Sequence, residues 1–124
     1  MKKVIFMICI SLVLIVGCNK PNVTTWTEAQ GIANDMVEND ENADIFMFKD
    51  RVYELYSSDV HDTSIEKIGE IQNVYSPGDT FQNGTATKLP IDAKIYSTSI
   101  ESNSDFLLVK IDGKWFEYKS VPQG

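Results

Sequence analysis

The sequence predicts an α+β domain in which one N-terminal amphipathic helix packs on a mostly antiparallel sheet of five or six strands. Three observations predict it. A helical apolar rhythm appears over residues 26–38, and from Asp44 onward the apolar residues fall instead into short strand-like runs. The links between those runs are brief, which favours antiparallel neighbours over crossovers. The alternative that the same pattern allows is a small β-barrel plugged by the helix.

The helix is expected from about 26 to 38. Thr25-Trp26-Thr27-Glu28 fits a capping box, with Thr25 as N-cap and Glu28 reaching back to its amide. Trp26, Ala29, Ile32, Ala33, Met36 and Val37 then recur at the spacing of one helical face, while Glu28, Asn34, Asp35 and Glu38 fill the rest. The Trp-Ile-Met stripe is read as core. Gly31 inside this segment costs about 1 kcal/mol relative to alanine.

The acidic run Glu38–Asp44 should end the helix. Asp40, Asn42 and Asp44 begin like a calcium loop, but such a loop needs glycine at its sixth position and a bidentate glutamate at its twelfth. Ile45 and Arg51 stand there, which excludes an EF-hand. No metal or other cofactor is expected.

Ile45-Phe46-Met47-Phe48 is apolar on both faces and suits a central strand. Lys49-Asp50 leads into Arg51–Tyr56, although Lys-Asp is not a favoured pair for a primed hairpin turn. Residues 57–64 form a polar loop containing His61, the sole histidine, which has no nucleophile or carboxylate motif around it. Ile65–Tyr75 reads as one strand with Gly69 at a bulge. Ser76-Pro77-Gly78-Asp79 is a turn, Thr80–Leu89 a Thr-, Gly- and Asn-rich loop, and Lys94–Ser97 a short strand. The strongest hairpin comes last: Phe106–Ile111 and Lys114–Tyr118 flank Asp112-Gly113, a pair suited to a type I′ turn. Phe116 and Tyr118 are expected in the core, and Trp115 packed on the helix.

The residues ahead of the domain carry the most specific signal. Lys2 and Lys3 precede thirteen residues, Val4–Val16, that are apolar apart from Cys9 and Ser11. As a helix these span about 20 Å, short of the roughly 30 Å hydrocarbon core, so they read as an export signal rather than a membrane span. Leu14-Ile15-Val16-Gly17-Cys18 resembles the lipobox of bacterial lipoprotein signal peptides, with Val16 where alanine or serine is commoner. That resemblance implies cleavage before Cys18 and a diacylglycerol cysteine there, with palmitate-type acyl chains. It divides the chain into a signal peptide (1–17), a lipid-anchored tether (18–24) and one domain (25–124). Two acyl chains give stable anchoring where one is marginal, so the expected location is the extracytoplasmic face of the cell membrane. A second pattern, Asn83–Pro90 followed by Lys94-Ile95-Tyr96 and the Val-Lys-Ile-Asp-Gly-Lys hairpin, looks like small lipoproteins of Bacillus-type, Gram-positive bacteria. It implies an envelope protein and brings no activity. Asp92-Ala93 replaces the Gly-Thr usual in that pattern.

Removing residues 1–17 leaves 107 of the 124 and takes away two lysines, so the net charge goes from −7 to about −9. An acidic surface disfavours nucleic acid and anionic headgroups and is compatible with cationic partners. Cys9 leaves with the signal, which excludes a disulfide framework. A nucleophile elbow and a phosphate loop are both missing from the sequence. The expected function is therefore a membrane-anchored binding or interaction module, not an enzyme, whose partner is an envelope protein or a cationic peptide. The alternative is a small envelope hydrolase using a carboxylate pair among the 18 acidic residues.

Overall fold

A computed structural model describes residues 26–98 and 105–123. Helix α1 (Glu28–Asn39) is followed by β1 (Ile45–Phe48), β2 (Arg51–Ser58), β3 (Ser64–Glu70), β4 (Asn73–Val74), β5 (Thr85–Ala86), β6 (Lys94–Thr98), β7 (Phe106–Ile111) and β8 (Lys114–Ser120). The eight strands form one sheet in the order β3-β6-β7-β8-β2-β1-β5-β4. The α+β class and the helix on the sheet are as expected; eight strands replace five or six. All pairings are antiparallel except β4 with β5.

The sheet curls into a half-barrel. Gly69 on β3 lies so close to Phe48 on β1 that a methyl group added there would come 2.6 Å from the Phe48 ring, although four strands separate β3 from β1 in the sheet. The glycine thus leaves room for a ring from the opposite wall, and the expected bulge in β3 falls at this point, between Lys67 and Gly69. Inside the curl, Phe46, Tyr53, Ile95, Leu107, Val109 and Tyr118 form the main core together with Ile71, Ala86, Leu89 and Ala93. The Phe46 ring stacks on Tyr53 at 5.3 Å and meets Tyr118 edge-on at 5.0 Å.

The helix packs on the outer face of the same sheet rather than plugging its interior. Ala29 and Ala33 lie fully buried against Ile45, Met47, Val52 and Phe81, with Ile32, Met36 and Val37 at the margin. Two alanines at this contact let the helix approach closely. Strand β1 therefore sends Phe46 and Phe48 inward and Ile45 and Met47 towards the helix, which explains why it is apolar on both faces.

Several details differ from the sequence reading. The capping box sits two residues later: Thr27 Oγ1 accepts from the Gln30 amide at 3.1 Å, and the Thr27 amide donates to Gln30 Oε1 at 2.9 Å. The Gln30 side chain also donates to the Phe81 carbonyl, a tertiary bond that ties the helix start to the 80–89 segment. Thr25, the expected cap, lies outside the described residues, and Trp26 is half exposed rather than core. Trp115 meets Tyr96 edge-to-face at 5.0 Å on the part of the outer face away from the helix's core partners.

The expected strand 65–75 is divided. Ile71 donates to the Ala93 carbonyl and accepts from the Asp92 amide, whereas the Gln72 and Asn73 amides both donate to the Gly84 carbonyl. The chain here crosses from one margin of the sheet to the other. Residues 80–89 are not simply a loop. The Gly84 amide donates to Met47, the Thr87 amide to Ile45, and Thr87 Oγ1 donates to Ala43 while accepting from the Ile45 amide. Phe81 in this segment is fully buried and stacks on Tyr75 at 4.5 Å.

Candidate binding face

The helix covers the outer face at β1 and β2, and the outer faces of β6, β7 and β8 carry a different surface. Register sets its rows. Lys94, Lys110 and Trp115 stand in line across the three strands; Tyr96, Leu108 and Glu117 form the next row, and Phe106 pairs with Lys119 beyond it. The Lys110 ammonium lies 5.3 Å from the Trp115 ring, and Lys119 lies 5.6 Å and 5.9 Å from Tyr56 and Phe106. Tyr56 in turn meets Phe106 edge-on at 5.4 Å and is 60% exposed. Leu108, at the centre, is buried but belongs to neither core cluster; the long side chains around it cover it.

These side chains alternate strictly with inward ones, so the strand period places them together. Phe106, Leu108 and Lys110 face out between Leu107, Val109 and Ile111, and Trp115, Glu117 and Lys119 alternate with Phe116, Tyr118 and Ser120. At the lower end of this face a cleft of about 390 Å³ opens between the Pro90–Ala93 turn and the Asp112–Gly113 turn, with Lys94, Tyr96 and Lys110 in its wall. The first of these turns is closed by the Ala93 amide donating to Pro90, and Asp92 takes φ 76°, in the left-handed region.

A second cleft, of about 350 Å³, lies beside the helix C-terminus and is lined by Asp40, Asp44, Glu54, Met36 and Leu55 among others. Tyr118 Oη donates to Asp44 Oδ1 at 2.8 Å. Burial raises the Asp44 carboxyl above its ordinary value, and the Tyr118 bond and Lys88 oppose that rise. Burial and the neighbouring Asp44 carboxylate also push the Tyr118 phenol up, so it stays a donor. Asp40 Oδ1 accepts from the Asn42 amide, closing a turn. Among the described residues no group of three or more His, Cys, Asp or Glu side chains is placed to hold a metal ion.

Of the residues singled out in the sequence, Cys18 lies outside the described residues. His61 is exposed in the β2–β3 loop, away from both clefts. The aromatic–lysine face is not legible in the sequence as a unit. Its signal is there, an alternation of lysine or aromatic with aliphatic residues in three runs, but only the sheet order brings the runs side by side. Among the described residues no helix is long and apolar enough to cross a membrane. No family model, no curated protein and no solved structure matches the chain.

Proposed function

We propose that this protein is a binding module that works at the extracytoplasmic face of a membrane, held there by lipid on Cys18, and that the aromatic–lysine face engages its partner. The observation that supports this reading most is the concentration of Tyr56, Tyr96, Phe106 and Trp115 on one sheet face, away from the described helix. Tyr, Trp and Phe are the residues enriched where proteins recognise partners, because they offer large area at low conformational cost. The partner is an envelope component met within reach of the short tether. A photo-crosslinking residue at Tyr56 in intact cells tests this: it should capture one partner, whereas the same residue at Val74, exposed on the far margin, should not. Equal capture at both positions would remove the face from the reading. Mass spectrometry of the mature chain, with and without inhibition of the lipoprotein signal peptidase, tests the anchor; an unmodified Cys18 would remove it.

A cationic peptide would instead be drawn to the helix C-terminus, where Glu38, Asp40 and Glu41 cluster and the last helical turn holds no basic residue. The hydrolase reading draws its support from the cleft that holds Asp40, Asp44 and Glu54, since a carboxyl raised by burial suits a general acid. Glycosidase activity lost in both Asp44→Asn and Glu54→Gln, with stability retained, would favour it. Activity unchanged in both would end it.

A further inference from the structure

The cleft at the end of the candidate face brings two lysines side by side. Lys94 and Lys110 stand directly opposite each other in the β6–β7 register, and both line the cleft. Like charges in that relation destabilise a sheet, a cost that Glu70, opposite Lys94 in the β3–β6 register, offsets in part. Among the described residues neither lysine has an ion-pair partner within the cleft; the ion pairs present are Arg51–Asp105 and Lys67–Glu70. Between and beside the lysines lie Tyr96 and, through its ring contact, Trp115. The two flanking turns bring Asp92 and Asp112 to the same cleft.

We propose that this cleft binds a hydroxyl-bearing ring with a single anionic group, an acidic sugar. Each part of the site has a matching part in such a ligand. Two adjacent ammoniums supply charge-assisted hydrogen bonds to one carboxylate or phosphate and are relieved of their mutual repulsion by it. The aromatic pair offers an apolar surface to the face of a ring. The carboxylates of Asp92 and Asp112 accept from hydroxyl groups, which a sugar has in abundance. Those same carboxylates count against an acidic peptide, whose repeated negative charges they would repel. A volume of about 390 Å³ falls at the small end of the roughly 300–1,000 Å³ typical of ligand sites. The proposal rests on the binding-module reading and names the chemical class that one end of the face would take.

The test uses the full chain in detergent with Trp26→Phe, which leaves Trp115 as the remaining one of the two tryptophans. Trp115 emission is followed during titration with glucuronic acid, glucose 6-phosphate, glucose and hexaglutamate. Saturation by glucuronic acid or by the sugar phosphate, whichever is tighter, supports the site and tells carboxylate from phosphate. Glucose should bind about ten-fold more weakly, the loss expected for a charge-assisted contact. Lys94→Gln and Lys110→Gln should each weaken the acidic sugar about ten-fold and leave glucose unchanged. Lys49→Gln, remote from the cleft, should change neither. Thermal melts should stay close to the parent in both cleft variants, because the repulsion is lost together with the Glu70 and Trp115 contacts. The proposal is overturned if neither acidic sugar saturates, if hexaglutamate binds more tightly, or if both lysine variants bind as the parent does. If sugars fail while capture at Tyr56 succeeds, the cleft proposal falls and the module reading stands. Sugar binding without capture at Tyr56 keeps the cleft and removes the partner from the face.

Discussion

The β1–β2 and β7–β8 hairpins are each closed by two residues at positive φ, Lys49–Asp50 and Asp112–Gly113, yet only the second pair favours that conformation by itself. The first turn is held from outside. The Asp50 amide donates to Asn83 Oδ1 at 2.7 Å, Asn83 Nδ2 returns a bond to Asp50 Oδ1 at 3.1 Å, and Gln123 donates to the Asp50 carbonyl at 3.0 Å. The strands behind the turns differ in the same sense. β1 is buried on both faces, whereas β7 and β8 leave one face open. A turn with poor local chemistry is tolerated where tertiary structure surrounds it. The hairpin with good local chemistry can hold its shape with one side uncovered.

The largest break in this comparison should come from Phe46→Ala in the first hairpin, which removes a ring contacting both Tyr53 and Tyr118. Denaturant unfolding should show a loss of about 3–5 kcal/mol. Phe106→Ala on the open face should cost far less, and equal losses would mean that the two hairpins are buried alike. Asn83→Ala should cost about 1–2 kcal/mol by withdrawing the support of the first turn, whereas Gly113→Ala, which forces a side chain into φ 81°, should cost about 1 kcal/mol. Lys49→Asn should raise stability by about 0.5 kcal/mol, since asparagine accepts positive φ more readily than lysine. No gain would show that tertiary bonds already remove the strain.

The smallest effect is a pH dependence behind the first hairpin. Burial raises the Asp44 carboxyl above 3.8 in the folded chain. Above that ordinary value the unfolded chain has released a proton that the folded chain still holds, so this group's contribution to stability falls as pH rises through the window up to its raised value. Asp44→Asn removes the contribution while keeping an acceptor for Tyr118. Its melting temperature relative to the parent should therefore climb between about pH 3 and pH 7. A difference that stays constant with pH would contradict the assignment.

The two hairpins also differ in how far they could be read in advance. The 106–118 hairpin, the inward Tyr118 and the doubly apolar β1 follow from alternation and from Asp-Gly, which are local signals. The division of residues 65–75 was not legible, because alternation reports which face a side chain takes and not which strand it pairs with. Ile71 keeps the apolar rhythm and bonds to Asp92 and Ala93, whereas the next two amides, Gln72 and Asn73, turn to Gly84. Residues 80–89 look like loop by composition, and only contacts across the fold make Thr87 and Gly84 bridging groups. The candidate face needed the order β6-β7-β8 before its aromatics and lysines became one surface.

The crossing of residues 70–74 between margins also bears on how copies of the chain behave when crowded. Unpaired strand margins are templates on which a neighbour can extend a sheet. Here one margin, β4, is two residues long. The other, β3, is interrupted at two places and carries Glu66, Lys67 and Glu70. Neither offers a straight row of free amides and carbonyls, so neighbouring copies on one surface find no edge to zip onto. Among the described strands, the margins therefore disfavour edge-to-edge self-association.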